Sequence, residues 1–115
     1  MPDINVKIAR YQYEFRSVPD ENVALLYLFD SEDHPLAMIA FVDDTQPLPG
    51  PKETPTGLVV MSYRRKDLPA MIDLLRHEKP LFFTWVSQAR IARISSEREP
   101  VGEEEFRSLW ARLFS

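Results

Sequence analysis

Apolar residues near the start of the chain recur at every second place, but not in a single phase. Ile4, Val6 and Ile8 occupy even positions, whereas Tyr11, Tyr13 and Phe15 occupy odd ones, with Arg10, Gln12, Glu14 and Arg16 opposite. Period two is the pattern of a strand with one buried face. A one-residue slip moves every side chain across a sheet, so the change of phase at Ala9-Arg10 predicts either a bulge or a bend whose two halves bury opposite sides.

Residues 23–29 (VALLYLF) and 36–42 (LAMIAFV) are apolar throughout and are separated by Asp30-Ser31-Glu32-Asp33-His34-Pro35. The polar stretch with Pro35 reads as a hairpin loop. A half-solvated strand alternates and these two do not, which predicts a pair of inner strands covered on both faces. Residues 43–56 carry Pro47, Pro49, Pro51 and Pro55 with Gly50 and form an exposed, semi-extended loop. No two of these prolines are three apart, so the spacing read by polyproline-binding domains is missing.

A fourth strand is predicted over residues 57–63 (GLVVMSY). Asp67 then makes an N-cap with Pro69 in the first turn. Leu68, Met71, Ile72 and Leu75 follow at helical spacing, and that helix ends near Lys79-Pro80. Residues 81–86 (LFFTWV) and 90–95 (RIARIS) form a second hairpin turning at Ser87-Gln88. After Gly102, the acids Glu103, Glu104 and Glu105 suit a first helical turn, and Phe106, Leu109, Trp110 and Leu113 repeat the apolar stripe. The fold expected is α+β: one antiparallel sheet of about six strands with two amphipathic helices, in the order ββββαββα. Two helices of about three turns cover much of one sheet face but not both. A remaining apolar face implies an interface, and a homodimer through the sheet or the C-terminal helix is the expectation.

The 115-residue length is that of one domain spanning residues 1–115. The chain has no cysteine, which excludes disulfides, thiolate zinc sites and cysteine nucleophiles and fits a reducing compartment. Neither a signal-peptide pattern nor a membrane-length apolar run is present, so a soluble cytoplasmic protein without a membrane partner is expected. Net charge is −4, unevenly spread. Residues 17–56 hold one base, Lys52, against eight acids, whereas residues 57–98 hold eight bases against four acids. Such a dipole can orient an oppositely charged partner, although charge runs commonly serve solubility alone.

Candidate chemistry is sparse. His34 and His77 have no histidine partner at helical ligand spacing, and the Asp30–Asp33 stretch lacks the glycine and the downstream glutamate of a calcium loop. Three glycines, Gly50, Gly57 and Gly102, cannot write a nucleotide-binding fingerprint, and no nucleophile elbow occurs. No catalytic, metal or cofactor site is therefore expected, and the leading expectation is a non-enzymatic module that engages itself or another protein.

One constellation combines bases with aromatics. Arg64, Arg65 and Lys66 stand between strand and helix, while Arg90 and Arg93 lie on a strand paired with the one that carries Phe82, Phe83 and Trp85. Guanidinium groups beside aromatic faces on a sheet are the components of single-stranded nucleic-acid binding. The order of four strands and a helix is similar to the unit of the positive-cofactor and Whirly single-strand DNA-binding domains. That likeness is one of topology, and the residues of the constellation itself, Arg64, Arg65, Lys66, Trp85, Arg90 and Arg93, make a single-stranded nucleic-acid or anion site the second expectation. Against it stands an ordinary core role for Phe82, Phe83 and Trp85, with the arginines paired to Glu97, Glu99 or another chain. A small-molecule binding protein or enzyme with a pocket between sheet and helices is a third alternative.

Overall fold

The change of phase at Ala9 is where one run of extended chain divides between two sheets. The computed structural model describes residues 3–19 and 21–96. In it β1 (Ile4–Ile8) and β2 (Arg10–Val18) flank Ala9, followed by β3 (Glu21–Phe29), β4 (Pro35–Val42), a two-residue β5 (Lys52–Glu53) and β6 (Val59–Arg64). A 3₁₀ turn at Arg65–Asp67 leads into α1 (Leu68–His77), and β7 (Leu81–Val86) with β8 (Ile91–Ser96) completes the set. β1 pairs antiparallel with β7, whereas β2 pairs antiparallel with β3. At the corner the Ala9 N–H donates to the Phe29 carbonyl at 2.9 Å, and Arg10 is the residue opposite Phe29. The slip thus works as a change of sheet that keeps Ile4, Val6, Ile8 and Tyr11 packed on one common core.

The expectation of a single antiparallel sheet of about six strands requires correction. The described chain is α+β and mostly strand, with a three-stranded sheet ordered β1-β7-β8 and a five-stranded sheet ordered β2-β3-β4-β6-β5. The larger sheet is mixed, because β4 and β6 run parallel, Ala37 lying opposite Val59 and Phe41 opposite Tyr63. The cause lies in the connection. The chain turns at once after β4, the Gln46 N–H donating to the Asp43 carbonyl at 3.2 Å, and the semi-extended residues 47–51 cover about 16 Å, enough to bring Lys52 back to the level of Met38, about 13 Å before Val42. There β5 runs antiparallel to β6, and the chain reverses. The Gly57 N–H donates to the Thr54 carbonyl at 3.0 Å and the Leu58 N–H to Thr54 Oγ1 at 3.1 Å. Gly57 sits at φ +87°, a conformation that other residues adopt only with strain. One helix, α1, lies among the described residues, and the second helix expected over residues 103–113 falls outside them.

β3 and β4 are inner strands. Their hairpin turns on Asp30, whose Oδ1 accepts the N–H groups of Glu32 at 2.9 Å and His34 at 2.8 Å. The His34 N–H in particular holds the Asp30 carboxyl below its ordinary pKa. Asp33 occupies the left-handed region at φ 64°, which a short polar side chain tolerates. The core lies between the inner face of the larger sheet (Leu26, Leu28, Ile39, Val59, Met61) and a cover formed by Leu81, Phe83 and Trp85 of β7 with Leu75 of α1. Leu68, Met71 and Ile72 complete the helical stripe with Leu75, as their spacing predicts, and Leu74 packs against the same cluster. Asp67 precedes α1 without a side-chain capping bond, and Pro69 lies in the first turn.

Candidate interaction surface

Register places the inner-face residues of the larger sheet in rows across its strands, and following a row shows how far the cover extends. One row runs Tyr13, Leu26, Ile39, Met61, and the next runs Phe15, Ala24, Phe41, Tyr63. In the first, Met61 is 2% exposed and Leu26 and Ile39 are fully buried, but Tyr13 is 52% exposed. In the second, Phe41 and Ala24 are buried while Phe15 is 67% exposed. The cover therefore stops over β3, and β2 overhangs it with two aromatic side chains in water. The Tyr13 and Phe15 rings meet edge to face, with centroids 5.8 Å apart.

The overhanging strand is also an edge. β2 pairs with β3 on one side, and no described strand pairs with the other. Nine residues without proline or an internal shift of register present alternate N–H and C=O groups along that side, the form of edge on which another strand can be laid. Its outer face carries charge. The Arg16 guanidinium donates to Glu14 Oε1 from Nε at 2.8 Å and from a second nitrogen at 2.5 Å, and this carboxylate raises the arginine pKa further above its ordinary value. Arg10 is engaged with the β3–β4 hairpin, through Nε to Asp33 Oδ1 at 2.6 Å and a second nitrogen to the Ser31 carbonyl at 3.1 Å.

On the outer face of the same sheet, Val23, Tyr27, Phe29, Met38, Ala40, Val42 and Val60 are half-buried and Leu25 is buried. The inner face of β3 and β4 is thus closed to water and their outer face about half closed.

The six residues of the base-and-aromatic constellation do not gather. Arg64 ends β6 and spends one guanidinium nitrogen on the carbonyls of Asp43 (2.8 Å) and Gln46 (2.5 Å). Arg65 lies 3.5 Å from Asp43 Oδ1 and lines a shallow cavity of about 370 Å3 with Phe15, Ser17, Val23 and Ala24. Lys66 is exposed beside it. Arg90 closes the β7–β8 turn at φ 55° and borders a depression with Pro51, Lys52 and Glu53, level with the start of β6. Arg64 and Arg90 are therefore separated by the length of a six-residue strand, about 20 Å. Arg93 lies on the outer face of the smaller sheet, opposite Thr84 and bordering a depression with Asp3 and Asn5. Trp85, 3% exposed, is packed in the core, with Ile4 and Ala92 opposite it on the neighbouring strands. Its face is not offered to a base.

Other chemistry finds little support among the described residues. No group of three His, Cys, Asp or Glu side chains is placed to hold a metal ion, and no polar or charged side chain is buried. His34 lies 3.3 Å from Asp30 Oδ2 and His77 2.9 Å from Asp73 Oδ1, both exposed at element ends. A cavity of about 440 Å3 is an open cleft at the corner between the sheets, lined by Arg10, Tyr11, Leu75 and Pro80 among others. No described helix is long and apolar enough to cross a membrane. Compared with known proteins, the chain matches no family model, no curated protein and no solved structure.

The sequence reading did not single out Tyr13 and Phe15. The available signal was the alternation Tyr11-Gln12-Tyr13-Glu14-Phe15-Arg16, half apolar and half polar in a proline-free stretch. That pattern suits a strand with one wet face, the kind placed at a sheet margin.

Proposed function

We propose that this chain is a non-enzymatic assembly module that associates with itself through the overhanging side of its five-stranded sheet. The observation that carries the reading is the pair Tyr13 and Phe15, exposed side by side on a long strand whose outer edge is open. Large aromatic side chains held in water at a regular, hydrogen-bond-competent margin are what an interface buries, and aromatics dominate interface energies.

Sedimentation velocity of the full chain across a concentration series tests this. The expected result is a species heavier than the 13.4 kDa monomer, with a Phe15→Lys variant weakening the association about 30-fold or more, the effect of losing a central interface residue. A chain that stays monomeric at every concentration, or an assembly indifferent to Phe15→Lys, rejects the proposal. Because Phe15 is two-thirds exposed, the variant should retain the wild-type fold and circular dichroism.

A further inference from the structure

We infer that the strand laid against β2 is β2 of a second copy, running antiparallel about a twofold axis at Phe15. The inference rests on the self-association proposed above and adds the element, the direction and the register. Two identical strands paired about a twofold axis run antiparallel, and residues directly opposite each other share a face. Odd positions, which carry the aromatics, thus face odd positions, and the charged and polar even positions face one another. A few centres remain, and the residues choose among them.

With the axis at Tyr13, Arg10 meets the second copy's Arg16 and no opposite charges are paired. With the axis at Glu14, that carboxylate meets its own copy, and at Arg16 the guanidinium does the same. Like charges directly opposite destabilise a strand pair. An axis at Gln12 sets Arg10 against Glu14, but Arg10 is held by Asp33 and Ser31, and the corner at Ala9 leaves only residues 10–14 able to pair. An axis at Phe15 removes each of these faults. Glu14 lies opposite the second copy's Arg16 and Arg16 opposite its Glu14, so opposite charges meet twice. Phe15 meets Phe15, Tyr13 meets Ser17, Gln12 meets Val18, and residues 12–18 pair without reaching the corner. The Glu14–Arg16 hydrogen bonds already present within each strand hold both side chains on the outer face, where this arrangement needs them. The product is a continuous ten-stranded sheet, with the exposed aromatics of both copies meeting at the seam.

The natural chain has no cysteine, so a single introduced thiol reports on its own surroundings. Opposed residues of an antiparallel pair have Cα atoms about 4.5–5.5 Å apart, within disulfide reach. With the axis at Phe15, the two copies of residue 13 lie about four residues apart along the seam, roughly 13 Å, and so do those of residue 17. Under mild oxidation Phe15→Cys is expected to convert to a covalent dimer, whereas Tyr13→Cys and Ser17→Cys stay as single chains. As a second arm that keeps Phe15, Glu14→Arg and Arg16→Glu are each expected to lose self-association, and an equimolar mixture to recover it as a mixed dimer. If the wild-type chain assembles and responds to Phe15→Lys, yet Tyr13→Cys links in place of Phe15→Cys or the mixture fails to recover, the register falls and the self-association reading stands. If the wild-type chain remains single at all concentrations, both fall.

Discussion

The two margins of the five-stranded sheet are built in opposite ways. On one side the last strand, β5, is two residues long, lies between Pro51 and Pro55 and ends in the Thr54–Leu58 reversal. Short strands and nearby prolines are devices that keep a sheet from extending. On the other side β2 runs for nine residues, with Pro19 only after its end. The packing differs in the same sense. Along a single row, Met61 next to the blunted margin is buried, whereas Tyr13 at the open margin is half in water. A sheet whose one margin ends in a two-residue, proline-flanked strand and whose other margin is regular and aromatic is extended more readily at the second, which favours a closed pair of copies over an open fibre.

The largest effect expected from this contrast is thermodynamic. Met61→Ala should destabilise the chain by about 2–5 kcal/mol, the range for truncating a buried methionine. Tyr13→Ala in the monomer should change it by less than about 0.5 kcal/mol, as for a surface position. Urea titration of both variants, at concentrations below any association, measures the difference. Equal losses would mean that the cover reaches both margins and would break the comparison. A smaller effect concerns how β5 is delivered to its margin. Arg64→Ala removes two hydrogen bonds to the 43–51 segment and should cost about 1–2 kcal/mol, with faster proteolytic cleavage between residues 43 and 51. Unchanged cleavage would show that the prolines alone hold that segment.

The smallest effect should appear only in alkali. Burial, helped by the nearby Asp67 carboxylate, raises the pKa of the Tyr63 hydroxyl above its ordinary 10.0. The folded chain therefore holds this proton more tightly than the unfolded one. The associated stability is present below the ordinary value and declines as pH rises from there through the raised one. Tyr63→Phe should match the wild type near neutrality and show a shallower loss of stability in denaturant titrations above about pH 10. Parallel curves for the two proteins would indicate that the row Phe15, Ala24, Phe41, Tyr63 is as wet at its β6 end as at its β2 end.

Much of the fold could be read from local pattern. The slip at Ala9, the inner-strand places of residues 23–29 and 36–42, and the stripe of Leu68, Met71, Ile72 and Leu75 each depend on a few adjacent residues and appear where expected, although the outer face of the two strands is half closed and not covered as their apolarity predicts. What could not be read is set by distant parts of the chain. β1 finds its partner in β7, about eighty positions away, and proline content says that residues 43–51 are extended without saying that they turn back. Trp85 illustrates the same difficulty at side-chain scale. LFFTWV offers no regular polar alternation, so sequence alone does not assign Phe83 and Trp85 to the core and Phe82 to the outer face. Exposure of Tyr13 and Phe15 depends on where a cover made of β7 and α1 ends, and the alternation within residues 10–18 marks a marginal strand without recording where that is.

The corner at Ala9 carries a mechanical consequence. Since β1 and β2 are one stretch of backbone interrupted by a single residue, tension applied along β2 passes directly into the small sheet and onto β7. A pull directed along β2 would therefore load the β2–β3 and β1–β7 hydrogen bonds in shear together.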